Sequence, residues 1–141
     1  MVSLIVGEKG KGKTKYLLEM ANQAVKTANG NIVYIDKNGK HMYELNNKVR
    51  LIDASRYPLK SGDEFIGFIL GIASQDHDLE QIYLDSFLKN SKVTDDVTVI
   101  RDYIEQLDTI SKLCSVDFIL SVSKNKEDLD PALYDKIIVS L

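Results

Sequence analysis

The sequence predicts an α/β fold, a three-layer sandwich in which helices cover both faces of a mostly parallel sheet of five to six strands. Three observations predict it. Short apolar runs alternate with longer segments whose apolar residues recur every three or four positions, the rhythm of strand and helix in turn. The short runs are apolar almost throughout, as in "VSLIV", which suits strands covered on both faces. Several of them end on a carboxylate, at Asp36, Asp53 and Asp85.

Taken in order, Val2–Val6 reads as a buried strand that meets a glycine. From Thr14 to about Ala28 the period becomes helical. Leu17, Leu18, Ala21, Ala24, Val25 and Ala28 share one face, and "NGN" signals the end. Ile32–Asp36 and Val49–Asp53 are further strands, with Pro58 marking the loop beyond. Met42–Asn46, between them, reads as a turn or a single helical turn. "SGDEFIGFILGIASQDH" opens on Ser61, Asp63 and Glu64, good helix-start residues. Its continuous apolar body predicts a helix buried on most of its surface, and Gly67 and Gly71 predict close approach to a neighbour. "QIYLDSF" is a strand ending at Asp85. "TDDVTVIRDYIEQLDTISKL" is the clearest helix, with a stripe of Val97, Ile100, Ile104, Leu107 and Ile110 and with Asp95 and Asp96 at its positive end. "DFILSVS" and "KIIVS" are the final strands, and "EDLDPALYD" between them is a short helix or turn.

The 141 residues suit a single domain over 1–141. A formal net charge of −3 and a pI near 5.4 give no reason to expect nucleic acid or an anionic lipid surface as partner. The longest apolar run, "FIGFILGIA", is far short of the roughly 20 residues that span a bilayer. "MVSLIVG" has no basic region before its apolar stretch, unlike a secretion signal, so no membrane insertion and a cytoplasmic location are expected. The single cysteine, Cys114, excludes an internal disulfide and sits at apolar helical spacing. It reads as a small core residue rather than a nucleophile.

The concentration of positive charge in "LIVGEKGKGKTKYLL" has a specific form. Gly7-Glu8-Lys9-Gly10-Lys11-Gly12-Lys13-Thr14 matches G-x-x-x-x-G-K-[ST] in full, between a predicted strand and a predicted helix. Glycines let such a loop wrap so that its backbone N–H groups point at an anion, and the helix start adds its own unpaired N–H groups and dipole. Gly7 through Lys15 are therefore the candidate phosphate-binding residues, with Lys13 bridging the β- and γ-phosphates and the Thr14 hydroxyl ligating Mg²⁺. Lys9 and Lys11 either strengthen the field at the phosphates or are simply solvated. Asp85, ending a buried strand downstream, is either a second magnesium anchor or an ordinary strand-end acid.

Together these motifs resemble the P-loop NTPase superfamily, with Asp85 in its Walker B position. A strand inserted between the loop strand and the Walker B strand would mark the RecA-like branch, and "IVYID" or "VRLID" is the expected insertion. The resemblance implies ATP and Mg²⁺ as ligands. It also implies a water-orienting base, for which Ser86 stands where many relatives carry glutamate. Asp36 and Asp53 occupy neighbouring strand ends, and Asp36 is the better candidate, with a loop-capping role as its alternative. Ser121 and Ser123 stand where such ATPases keep a γ-phosphate sensor. No arginine finger is assignable among Arg50, Arg56 and Arg101, and the scarcity of arginine argues against a kinase lid.

Asn125-Lys126-Glu127-Asp128 matches the guanine-reading N-K-x-D of P-loop GTPases, but Asp85 continues as "DSFL" without the glycine those proteins use. More narrowly, the opening and the "HMYELNN…DHDLEQ" middle resemble small stand-alone P-loop proteins of Gram-positive anaerobes labelled as twitching-motility-type ATPases. The acidic-box and histidine-box motifs of retraction motors are not evident, and His41 and His77 read as loop or surface residues. The expectation is a Mg-dependent ATP-binding protein, a slow or partner-activated ATPase acting as a homo-oligomer or on a protein partner. The alternatives are a regulatory switch without useful turnover, or a GTP-binding protein.

Overall fold

The computed structural model describes residues 1–93 and 95–141. Among the described residues, six strands form one sheet: β1 (Val2–Val6), β2 (Asn31–Asp36), β3 (Val49–Asp53), β4 (Leu79–Leu84), β5 (Asp117–Val122) and β6 (Ile137–Ser140), in the order β3-β2-β4-β5-β1-β6. Every pairing is parallel. The strand between β1 and β4 is therefore β5, "DFILSV". The expectation that "IVYID" or "VRLID" would fill that position is corrected: those segments are β2 and β3, on the far side of β4. Strand-like runs of similar composition carry no order, because sheet neighbours are chosen by crossover connections rather than by local sequence.

Helices α1 (Lys13–Val25), α2 (Gly62–Gln75), α3 (Phe87–Asn90) and α4 (Val97–Cys114) complete the sandwich. Alternation along each strand divides the core. Leu4, Val6, Val33, Ile35, Ile82, Leu84, Phe118 and Leu120 face α2 and α4, where Phe65, Ile69, Ile100, Ile104 and Leu107 meet them. Ile5, Ile32, Tyr34, Tyr83 and Ile119 face the other way, against Leu17, Leu18 and Ala21 of α1.

The caps act as their residues suggest. Ser61 accepts from the Glu64 N–H at 3.2 Å, and Asp96 accepts from Thr98 and Val99 at 2.9 and 3.0 Å. Thr94, the first residue of the segment assigned to α4, lies outside the described residues, while Asp95 pairs with Lys124 at 2.8 Å. Helix α1 stops three residues before Ala28, and Met42–Glu44 is one 3₁₀ turn.

Helix α2 departs from expectation. It buries Phe65, Ile66, Ile69 and Ala73 along one face only, and Leu70, Gly67 and Gly71 are exposed. A methyl group at either glycine would meet nothing within 4 Å, so neither permits a close approach. The run of Phe, Ile and Leu is continuous enough to hide a one-sided stripe. Cys114 is partly buried against the core, as a small apolar residue would be.

Candidate functional site

Strand β1 ends at Val6, and the Gly7 N–H donates to the Lys124 carbonyl at 2.8 Å, tying the start of the loop to the segment after β5. Gly10 and Gly12 take φ values of 86° and 91°, in the left-handed region where a side chain is strained. Gly12 caps α1 without a side chain, so no side chain pairs the first N–H groups of the helix.

Lys13, the first residue of α1, is only 7% exposed. Its ammonium donates to the Glu8 carbonyl at 2.9 Å. Burial pushes its pKa down, and the charge of Asp85 offsets part of that. A buried ammonium with donors left over suits an anion.

Alternation explains what faces it. Asp36, Asp85 and Ser121 lie two residues beyond Tyr34, Tyr83 and Ile119, so each continues the α1-facing side of its strand at the carboxyl edge. Asp85 is buried and fully engaged. Its Oδ1 accepts from the Ser121 hydroxyl at 2.6 Å, the Ser86 N–H at 2.8 Å and, at 3.3 Å, the Thr14 hydroxyl. Its Oδ2 accepts from the Tyr34 hydroxyl at 2.9 Å. Behind it, the Asn90 side chain donates to the Asp85 carbonyl at 2.7 Å.

Tyr34 is the functional-site residue that sequence reading missed. It stacks on Tyr83 as core, rings 6.1 Å apart, while its hydroxyl reaches the edge. Burial first, then the charge and hydrogen bond of Asp85, push its phenol far above the ordinary range, so it stays a donor. Only a polar tip on an otherwise apolar strand could have signalled this. Tyr34→Phe is expected to destabilise the protein by about 1–3 kcal/mol, the range for losing a buried hydrogen bond to a charged group. Chemical denaturation measures it, and a change within ±0.5 kcal/mol would mean water replaces the hydroxyl.

Asp36 sits beside this centre. Its Oδ1 accepts from the Lys37 N–H at 2.7 Å, while its Oδ2 is buried without a hydrogen-bond partner and lies 4.0 Å from His41 Nε2. His41, a loop residue as expected, sits in the turn before the Met42–Glu44 3₁₀ turn and lies 3.0 Å from Glu44 through Nδ1. Burial raises the Asp36 pKa and Asp85 adds to it, against the Lys37 N–H and the charges of His41 and Lys37. A carboxyl raised on folding costs stability at neutral pH, and the cost fades as pH falls through its folded value and below. Asp36→Asn is therefore expected to raise the melting midpoint at pH 7, with the gain shrinking toward pH 4. A gain that grows on acidification would contradict this reading.

Lys9, Gly10, Gly12, Lys13 and Thr14 of the glycine-rich loop line a cavity of about 300 Å³ with Lys37, Asp85, Ser86, Ser121 and Ser123. The structure thus brings Gly10, Gly12, Lys13, Thr14 and Asp85 together with Ser121 of β5 and Ser123 just after it. Lys11 and Lys15 are exposed and outside the lining. Glu8 serves through its carbonyl, and its carboxylate accepts from Asn125 at 3.0 Å, which puts the Asn-Lys-x-Asp motif beside the loop. Lys126, however, lies over the Tyr134 ring, 4.8 Å from its centre. Asp53 caps its own turn by accepting from Ser55. Arg101 is held by Asp102 and Asp130, Arg50 and Arg56 are exposed on the surface, and so is His77.

No protein-family model matches the chain, and no curated protein does. Solved structures do match. The pCW3 conjugation coupling protein TcpA, in its monomer form with ATPγS, aligns with a TM-score of 0.55 and 13% identity over 96% of this chain and 46% of that one. The flagellar accessory protein FlaH from Methanocaldococcus jannaschii aligns with a TM-score of 0.56 and 14% identity, over 95% and 65%. PCH-2 of C. elegans aligns with a TM-score of 0.50 and 15% identity, over 98% and 33%. The chain spans between a third and two thirds of the length of these proteins. With its loop strand β1 separated from β4 by β5, it has the P-loop NTPase fold in the RecA-like order. At these identities the likeness is one of fold.

Proposed function

We propose that the chain binds ATP with Mg²⁺ in the cavity above β1, β4 and β5. One observation carries the reading. A loop with two left-handed glycines delivers a buried, desolvated Lys13 to the same cavity as a Thr14 hydroxyl bonded to a buried carboxylate. Backbone N–H groups around Gly10–Thr14 and the Lys13 ammonium suit phosphate oxygens. The Thr14 hydroxyl and Asp85 Oδ1, already 3.3 Å apart, are the hard oxygen donors Mg²⁺ prefers. Once bound there, the metal would neutralise charge on the phosphates. Ser121, Ser86 and Tyr34 hold the Asp85 carboxylate in one orientation. Asp36, with its orphan oxygen, is the residue to orient an attacking water, and His41 lies beside it.

Two features favour a second reading, a nucleotide-dependent switch without useful turnover. Ser86 follows Asp85 where glutamate would polarise water, and Asp36 is only 2% exposed and sits outside the cavity lining. Phosphate release from ATP and Mg²⁺, measured at low and high protein concentration, separates the two. Turnover that rises with concentration supports an oligomeric ATPase, and silence at every concentration supports the switch.

The engagement of Lys126 on Tyr134 favours adenine over guanine, because the lysine that would cover guanine has another partner. A panel of ATP, GTP and their diphosphates tests this. Tighter GTP binding that Asn125→Ala abolishes would reverse it. The resemblance to twitching-motility-type proteins contributes nucleotide binding to this reading and nothing about pilus retraction.

A further inference from the structure

A second cavity, of about 240 Å³, opens next to the first along the carboxyl edge of β2 and β3. Lys37 lines both. Three of its eight lining residues are lysines, Lys37, Lys89 and Lys92, and none is acidic. Among the described residues, none of the three lysines lies within ion-pair distance of a carboxylate. Lys92 is moreover held at φ 57°, a left-handed backbone that costs a non-glycine residue energy. The rest of the lining is of a different kind. Tyr57, braced on Phe68 with ring centres 5.4 Å apart, and Leu59 provide an apolar wall. Buried Asn90 links the floor to Asp85 through its hydrogen bond to the Asp85 carbonyl.

We propose that this cavity binds a small anionic molecule, phosphorylated or carboxylated. Lys37, Lys89 and Lys92 hold its charged group, and its apolar part rests on Tyr57 and Leu59. Like-charged side chains around a concave wall raise the local potential and draw an anion in. At about 240 Å³ the cavity is smaller than a typical ligand pocket and suits a small molecule rather than a polymer backbone, which needs an extended track. Through Lys37 and Asn90 the ligand adjoins the residues assigned to the nucleotide, so occupancy of one cavity is read by the other. Anion binding itself does not depend on the nucleotide reading.

Amide ¹H–¹⁵N spectra of the full chain test the site at constant ionic strength. Inorganic phosphate and succinate are titrated separately, with chloride as control. The expected result is saturable shifts at residues 54–59 and 87–92 with at least one of the two. In Lys89→Ala/Lys92→Ala the affinity falls by roughly tenfold or more, with the remaining spectrum unchanged. Saturation by phosphate alone identifies a phosphate ester as the ligand class, and saturation by succinate alone identifies a carboxylate. Shifts confined to residues 7–14, or an affinity unchanged in the double variant, would overturn the proposal. ATP-induced shifts at residues 7–14, recorded on the same double variant, test the nucleotide reading separately.

Discussion

Replacing Lys13 with alanine is expected to weaken ATP binding by roughly a hundredfold or more while leaving the melting midpoint of the nucleotide-free protein unchanged or raised. The first half follows from charge. A desolvated ammonium bonded to phosphate oxygens is worth about 3 kcal/mol or more, and each 1.4 kcal/mol is a factor of about ten in affinity. The second half follows from burial. Lys13 is 7% exposed, burial lowers its pKa, and its one hydrogen bond is to the Glu8 carbonyl. In the nucleotide-free protein that charge is a cost that alanine removes, against the loss of some stem packing. Calorimetric titration with ATP and thermal denaturation without it measure the two halves. Unchanged affinity in the variant would contradict the assignment of the loop.

Asp85 is expected to behave in the opposite way, because removing it damages the fold and the site together. Asp85→Ala leaves the buried Ser121 and Tyr34 hydroxyls and the Ser86 N–H without the carboxylate that accepts from them. The Ser86 N–H keeps the Ser121 Oγ as an acceptor at 2.8 Å, so at about 1–3 kcal/mol for each of the two stranded hydroxyls the loss should reach about 3–5 kcal/mol, a large share of a typical domain's 5–15 kcal/mol. Asp85→Asn keeps an acceptor for Ser121 and Ser86, and the Tyr34 hydroxyl can turn to accept from the amide. Its cost should be about 1–2 kcal/mol. In both variants ATP affinity should lose its dependence on Mg²⁺, because the charged oxygen opposite Thr14 is gone. Urea denaturation and paired titrations with Mg²⁺ or a chelator give the measurements. Equal destabilisation by Ala and Asn would show that charge, not hydrogen bonding, holds this centre.

The parts legible in the sequence were those set by local rules. A loop whose residues act within eight positions announces itself by spacing, and Asp85 by its place at the end of an apolar run. The strands and helices followed from period. What stayed hidden depends on residues far apart in the chain. Tyr34 looks like sheet core because its ring is sheet core, and only the partner 51 residues away, Asp85, takes up its hydroxyl. The place of β5 between β1 and β4 is decided by crossovers that leave no trace in either segment. Helix α2 looked buried because its exposed side carries Leu70 and glycines rather than charge. His41 had no local signal at all, and its neighbour Asp36 lies on another element.

The position of β1 has a consequence for how the protein is made. Of the six strands, the one that leads into the glycine-rich loop is made first, yet its two sheet partners, β5 and β6, are made after the other three. A nascent chain that stops short of Val122 offers β1 no neighbour, and Asp85 lacks the Ser121 hydroxyl that orients it. Pairings of such long sequence separation close late. Nucleotide affinity should therefore arrive abruptly once β5 and β6 have been made, with the loop strand waiting on them.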